Sequence, residues 1–154
     1  MPESSWPKPR LEKAYRNYAM EYVRTAAPVA VQLFGPEDAG YLLHLTGKLI
    51  GMQYFDEIAR GLKTGRGGAR EFDAFMFALF EAQDDLAENG ESHDVYEIVQ
   101  QSWKLMADVP DYHPACAKLL QGLAEGLAAG CGRGIAVDLK TGAGGAPPFI
   151  WSIS

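Results

Sequence analysis

Along the first third of the chain the large apolar positions Leu11, Tyr15, Tyr18 and Tyr22 recur every three or four residues. That spacing predicts a helix from Leu11 to about Ala27. "FGPEDAG" then stops the chain and restarts it, with Pro36 suited to a first helical position and Glu37 and Asp38 placed in the first turn. The following stretch carries Leu42, Leu45, Leu49, Met52, Phe55, Ile58 and Leu62 at helical spacing. Gly47 and Gly51 lie four apart inside it, so they share a face on which a second backbone can approach closely. A third helix is predicted over "EFDAFMFALFEAQDDLAEN", where Phe72, Phe75, Phe77 and Phe80 put apolar groups on more than one side. Such a helix is buried, or it lines an apolar cavity.

The period then changes. "HDVYEIVQQSWKLM" alternates, with Tyr96, Ile98 and Gln100 on one face and Val95, Glu97, Val99 and Trp103 on the other, which predicts a strand. "PACAKLLQGLAEGLAAG" returns to helical spacing between Pro114 and Gly130, with Gly122 and Gly126 again four apart. "RGIAVDLK" and "PPFIWSIS" alternate once more, joined by the Gly-rich "TGAGGA" as a hairpin. No helix follows that glycine run, which argues against a phosphate cradle. The expected fold is α+β: three N-terminal helices, one strand, one helix and a C-terminal β-hairpin, the strands forming a small antiparallel sheet packed on the helices. Residues 1–10, with three prolines and Trp6, read as an extended arm, and 11–154 as a single domain.

Charge removes some function classes. Fourteen basic against twenty acidic residues leave a net charge of −6. The basic residues are scattered, so no nucleic-acid partner is expected. No apolar run approaches the ~20 residues that span a bilayer, and "MPESSWPKPR" lacks the apolar stretch of an export signal, so no membrane association is expected. The two cysteines, Cys116 and Cys131, are then expected as reduced thiols in a cytoplasmic protein.

Chemistry concentrates in "DYHPAC". If a helix begins near Pro114, Cys116 lies in its first turn, where unpaired amides and the helix dipole favour a thiolate. His113 stands three residues before it as a possible base, and Asp111 could orient the imidazole. The competing reading makes Asp111 or His113 a helix cap and Cys116 a small buried apolar residue. Glu91 and His93 form a second polar group. Together with His113 and Cys116 they have zinc-ligand character, but two separate segments would have to meet and no pair has a diagnostic spacing. No metal site is assigned and no cofactor is expected. His44, beside an apolar stripe, reads as a satisfied boundary residue. Phe75, Phe80 and Trp103, with Glu91 and His93, are the candidate substrate-binding residues.

The order of strand, cysteine-opened helix and hairpin ending in "PFIWSIS" resembles the vinyl-reductase-type small-molecule-binding domains and the related transport-particle (TRAPP) fold. "LLHLTGKLIGMQYFDEIARGL" is similar to the long Gly-bearing helix of that group. Among enzymes the layout resembles the L-2-amino-thiazoline-4-carboxylic acid hydrolase family, small bacterial proteins that open a sulfur-containing ring. The resemblance spans about residues 36 to 154 and rests on Gly47, Gly51, Cys116, Gly122, Gly126 and Trp151. Relatives often carry a cysteine in the last hairpin, where this chain reads "GGAPPFIW".

The resemblance implies either a small cytoplasmic hydrolase of a cyclic amide-like or thiazoline-like metabolite, or a non-catalytic small-molecule-binding domain. In the first, Cys116 would be nucleophile or polar anchor, His113 the base and Asp111 or Glu91 a helper; this is the favoured reading. In the second, an apolar ligand would sit between the phenylalanine-rich helix and the sheet. A third possibility is an accessory subunit or homo-oligomer that uses the Gly47/Gly51 face and the Trp6 arm as contacts.

Overall fold

The computed structural model describes residues 7–106 and 114–154. Four helices, α1 (Lys8–Phe34), α2 (Pro36–Leu62), α3 (Ala69–Ala82) and α4 (Pro114–Cys131), are joined to four strands, β1 (Ala87–Asn89), β2 (Tyr96–Gln100), β3 (Val137–Lys140) and β4 (Phe149–Ile153). The strands form one antiparallel sheet in the order β1-β2-β4-β3. The class is α+β, as the sequence pattern predicts.

α1 differs from expectation at both ends. It begins at Lys8, so positions 8–10 are helical rather than part of an extended arm, and Trp6 lies outside the described residues. It also runs through Pro28 to Phe34. A proline inside a helix costs about 3 kcal/mol or more through the missing N–H and its ring clash. Here Ala27 and Ala30 on either side are buried against the body of the domain, and that packing holds the helix together. The α1–α2 corner is made by Gly35, at φ 81° and ψ 164°, a conformation that residues with a Cβ avoid.

α2 and α4 form the closest helix pair in the fold. A Cβ at Gly47 would run into the Leu119 carbonyl oxygen, and one at Gly51 into that of Leu123. From the other side, a Cβ at Gly122 or Gly126 would strike the carbonyl oxygen of His44 or Lys48. The four glycines bring the two backbones into contact within one chain. The Gly47/Gly51 face is therefore an internal seam and not a surface for another subunit.

α3 ends at Ala82, seven residues before the sequence pattern suggests. Asp84 takes a left-handed conformation (φ 59°), and the next residues enter β1, with Ala87 opposite Gln100. The predicted strand over 93–106 is ordered as a strand only at Tyr96–Gln100, and a short 3₁₀ turn occupies Lys104–Met106. On the inner face of the sheet Ile98, Gln100, Phe149, Trp151 and Ile153 are all buried. They meet Phe55, Phe72, Phe75 and Phe80 from the helices, whose rings stack or tilt at centroid separations of 5.1 to 6.2 Å, Phe80 lying against Trp151.

Candidate functional site

Between α1, α2, α3, α4 and the inner face of the sheet lies an apolar cavity of 330 Å³. α2 contributes Leu43, Thr46, Gly47 and Ile50; α3 contributes Met76, Leu79 and Phe80; α4 contributes Leu119, Leu120, Leu123, Ala124 and Leu127. Trp151 and Gln100 come from the sheet, Trp103 and Gln83 from the adjoining turns, and Tyr22 and Ala26 of α1 cross one side. Ala124 presents only a methyl group to this wall, and Gly47 carries no side chain and lies against the α4 backbone.

Thr46, Trp151 and Gln100, polar groups of this wall, are already engaged. The Thr46 hydroxyl donates to the Leu42 carbonyl at 2.7 Å. The Trp151 indole N–H donates to Gln100 Oε1 at 2.9 Å. Gln100 Nε2 in turn donates to Asp85 Oδ2 at 3.2 Å and to the Ser102 carbonyl at 2.9 Å. Among the described residues, no buried side-chain nitrogen or oxygen lacks a partner. A molecule entering the cavity meets aliphatic and aromatic surface and little unsatisfied hydrogen-bonding capacity.

Asp85 anchors this network from behind. Its Oδ1 accepts the Lys104 backbone N–H at 2.7 Å, and the residue is only 7% exposed. Burial raises its carboxyl above the ordinary value, and the hydrogen bonds from Lys104 and Gln100 offset only part of that. The folded protein therefore holds a proton here more tightly than the unfolded chain does. The contribution of this group to stability is greatest below the ordinary carboxylate pKa of about 4 and declines as pH rises through the raised folded value. Asp85→Asn is expected to flatten that decline in denaturant-unfolding free energy measured from about pH 4 to 7. Parallel pH profiles for the two proteins would show that burial does not control this carboxyl.

The residues singled out in the sequence fall in different places. Phe80 and Trp103 line the cavity. Phe75 does not; it is fully buried behind the wall, between Phe55 and Phe72. Cys116 lies in the first turn of α4, as the Pro114 start implies, and is buried in the core away from the cavity wall. Asp111 and His113 lie outside the described residues.

Glu91 and His93 are exposed in the β1–β2 connection and are not brought to Cys116. That connection precedes Tyr96, which pairs with Ile153 at one end of the sheet. α4 starts at the other end, where a Cβ on Gly145 would come within 2.8 Å of Pro114 Cα. The five residues of β2, roughly 15 Å, separate the two. Among the described residues no three His, Cys, Asp or Glu side chains cluster as a metal site would require. Cys131 is also buried, its thiol 3.9 Å from the Gly65 carbonyl and pushed up by burial.

One polar cluster has no signal in the sequence. His44 of α2 and Glu125 of α4 meet at 3.1 Å, with Lys48 Nζ at 3.6 Å from the same carboxylate oxygen. Gln121 Nε2 donates to Glu125 Oε1 at 2.8 Å and to the Val137 carbonyl at 2.7 Å. Burial raises the Glu125 carboxyl, but the hydrogen bonds from Gln121 and His44 and the nearby Lys48 charge outweigh it and leave it below its ordinary value. The cluster clasps α2, α4 and β3 beside the glycine seam, along a polar groove that also holds Tyr41, Lys118, Asp138 and Thr141. His44 is thus a partnered boundary residue whose role is accounted for by the clasp.

No protein-family model matches this chain, and no curated protein matches it.

Proposed function

We propose that this protein is a binding module for a small apolar molecule, held in the cavity between the helices and the sheet. The observation that carries the reading is the cavity itself: its wall joins Phe80, Trp103 and Trp151 to aliphatic side chains of α2 and α4, and its buried polar groups are internally satisfied. An engineered cavity of ~150 Å³ in another protein takes up benzene, so one about twice that size suits a ligand of one or two rings, on the order of ten non-hydrogen atoms. Such a ligand gains its affinity from burial, and at about 0.5–0.6 kcal/mol per non-hydrogen atom, between the drug-sized value and the small-fragment ceiling, its Kd falls at about 10–100 µM. The reading accords with the resemblance to the vinyl-reductase-type domains, and the thiols Cys116 and Cys131 suit a reducing compartment such as the cytoplasm.

Titration with 1-aminonaphthalene, a neutral two-ring fluorophore, tests this. Saturable binding with Kd on the order of 10–100 µM and one site per chain is expected, together with a rise in unfolding midpoint that tracks occupancy. Absence of saturable binding up to ~1 mM would overturn the reading. The hydrolase reading gives a different result. Turnover of a thiazoline-type compound, lost in Cys116→Ser, would replace the binding module with an enzyme built on "DYHPAC".

A further inference from the structure

Large apolar side chains that remain in solvent are concentrated on α1 and α2. On α2, Leu42, Leu45, Leu49 and Met52 are 45, 42, 58 and 54% exposed. Their steps of three, four and three residues are those of a coiled-coil seam. The stripe lies opposite Gly47 and Gly51, which face α4, so α2 is apolar on two sides and the fold uses only one. On α1, Tyr15, Tyr18 and Tyr22 repeat the three-four step at 71, 75 and 69% exposure. Tyr22 shares the rim of the cavity with Ile50 of α2, itself 42% exposed. Isolated surface apolar residues are ordinary, whereas a stripe in register on each of two packed helices marks an interaction surface.

We propose that this face docks a second copy of the same chain, α2 against α2 about a two-fold axis, with the α1 tyrosines at its margin. Centred at Gly47, an antiparallel pairing sets Leu42 against Met52 and Leu45 against Leu49, and each contact is repeated by symmetry. The same register ends the seam on acids: Asp38 of one copy comes opposite Asp56 of the other. Arg66, bound to Asp56 at 2.6 Å, supplies the compensating cation there. The exposed parts of these seven side chains amount to roughly 800 Å², the area each partner buries in a standard stable interface. A net charge of −6 disfavours an anionic lipid surface as the partner.

Sedimentation velocity between 5 and 100 µM tests the proposal. The native chain is expected as a dimer, and Leu45→Glu/Leu49→Glu as a monomer with association weakened about 100-fold or more and unchanged far-ultraviolet circular dichroism. Both positions are solvent-exposed in the single chain, so the fold should survive. If the double variant fails to fold, Leu49→Gln alone should weaken association about tenfold. A native chain that stays monomeric at 100 µM, or a dimer indifferent to these substitutions, would overturn the proposal. So would a monomer that floats with neutral phosphatidylcholine vesicles, which would make the face a lipid contact.

Discussion

Gly122→Ala is expected to lower the unfolding midpoint by about 10 °C. The new Cβ would sit on the His44 carbonyl oxygen, which belongs to the backbone of α2 and cannot rotate away. Relief requires the two helices to separate. Separation loosens the reciprocal contacts at Gly47, Gly51 and Gly126 and pulls His44 from Glu125. Overpacking of this kind costs 1–3 kcal/mol, occasionally more, and at this chain length each kcal/mol shifts the midpoint by roughly 2–4 °C. Alanine normally gains about 1 kcal/mol over glycine in a helix interior, so helix propensity alone predicts the opposite sign. Thermal unfolding followed by circular dichroism decides between them. A midpoint equal to or above that of the native protein would mean that the α2–α4 seam has slack.

The glycine seam was open to sequence reading because its cause is local: two pairs of small residues at one helical spacing. So were the start of α4, which Pro114 marks, and the inner face of the sheet, where alternation places Ile98 and Gln100 together and Phe149, Trp151 and Ile153 together. α3 was harder. "EAQDDLAEN" has ordinary helical character, and what ends the helix is tertiary. Asp85 turns inward to accept from Lys104, nineteen residues on, and Ala87–Asn89 pair with β2. The His44–Glu125 clasp joins residues eighty-one positions apart and leaves no periodic trace.

The candidate site was legible in part for the same reason. Phe80 and Trp103 stood out as large apolar residues that could line a pocket, and they do. The pocket itself lies where four helices and the sheet meet, a product of tertiary packing that no local pattern carries. Polar residues close in sequence were a weaker guide. Glu91 and His93 drew attention by composition, yet the sheet carries them to the end remote from the start of α4.

Ala124→Phe separates cavity occupancy from fold integrity, because its two effects have opposite signs. Ala124 is buried on α4 and faces the cavity, two residues beyond Gly122 and so on a different side of the same helix. A ring placed there enters existing space instead of striking backbone. Cavity filling commonly adds 0.5–2 kcal/mol, so the unfolding midpoint should rise by about 2–6 °C. The same ring occupies the volume a ligand needs, and affinity for 1-aminonaphthalene should fall about 100-fold, as for a steric block of a buried site. A variant that merely damages the fold loses stability and binding together. Gain of one with loss of the other requires that the probe and the new ring compete for one volume. Undiminished probe affinity in a stabilised Ala124→Phe would place the ligand elsewhere on the molecule. Should phenylalanine prove too large and the protein unfold, Ala124→Leu makes the same comparison with a smaller group, and an expected loss of roughly tenfold.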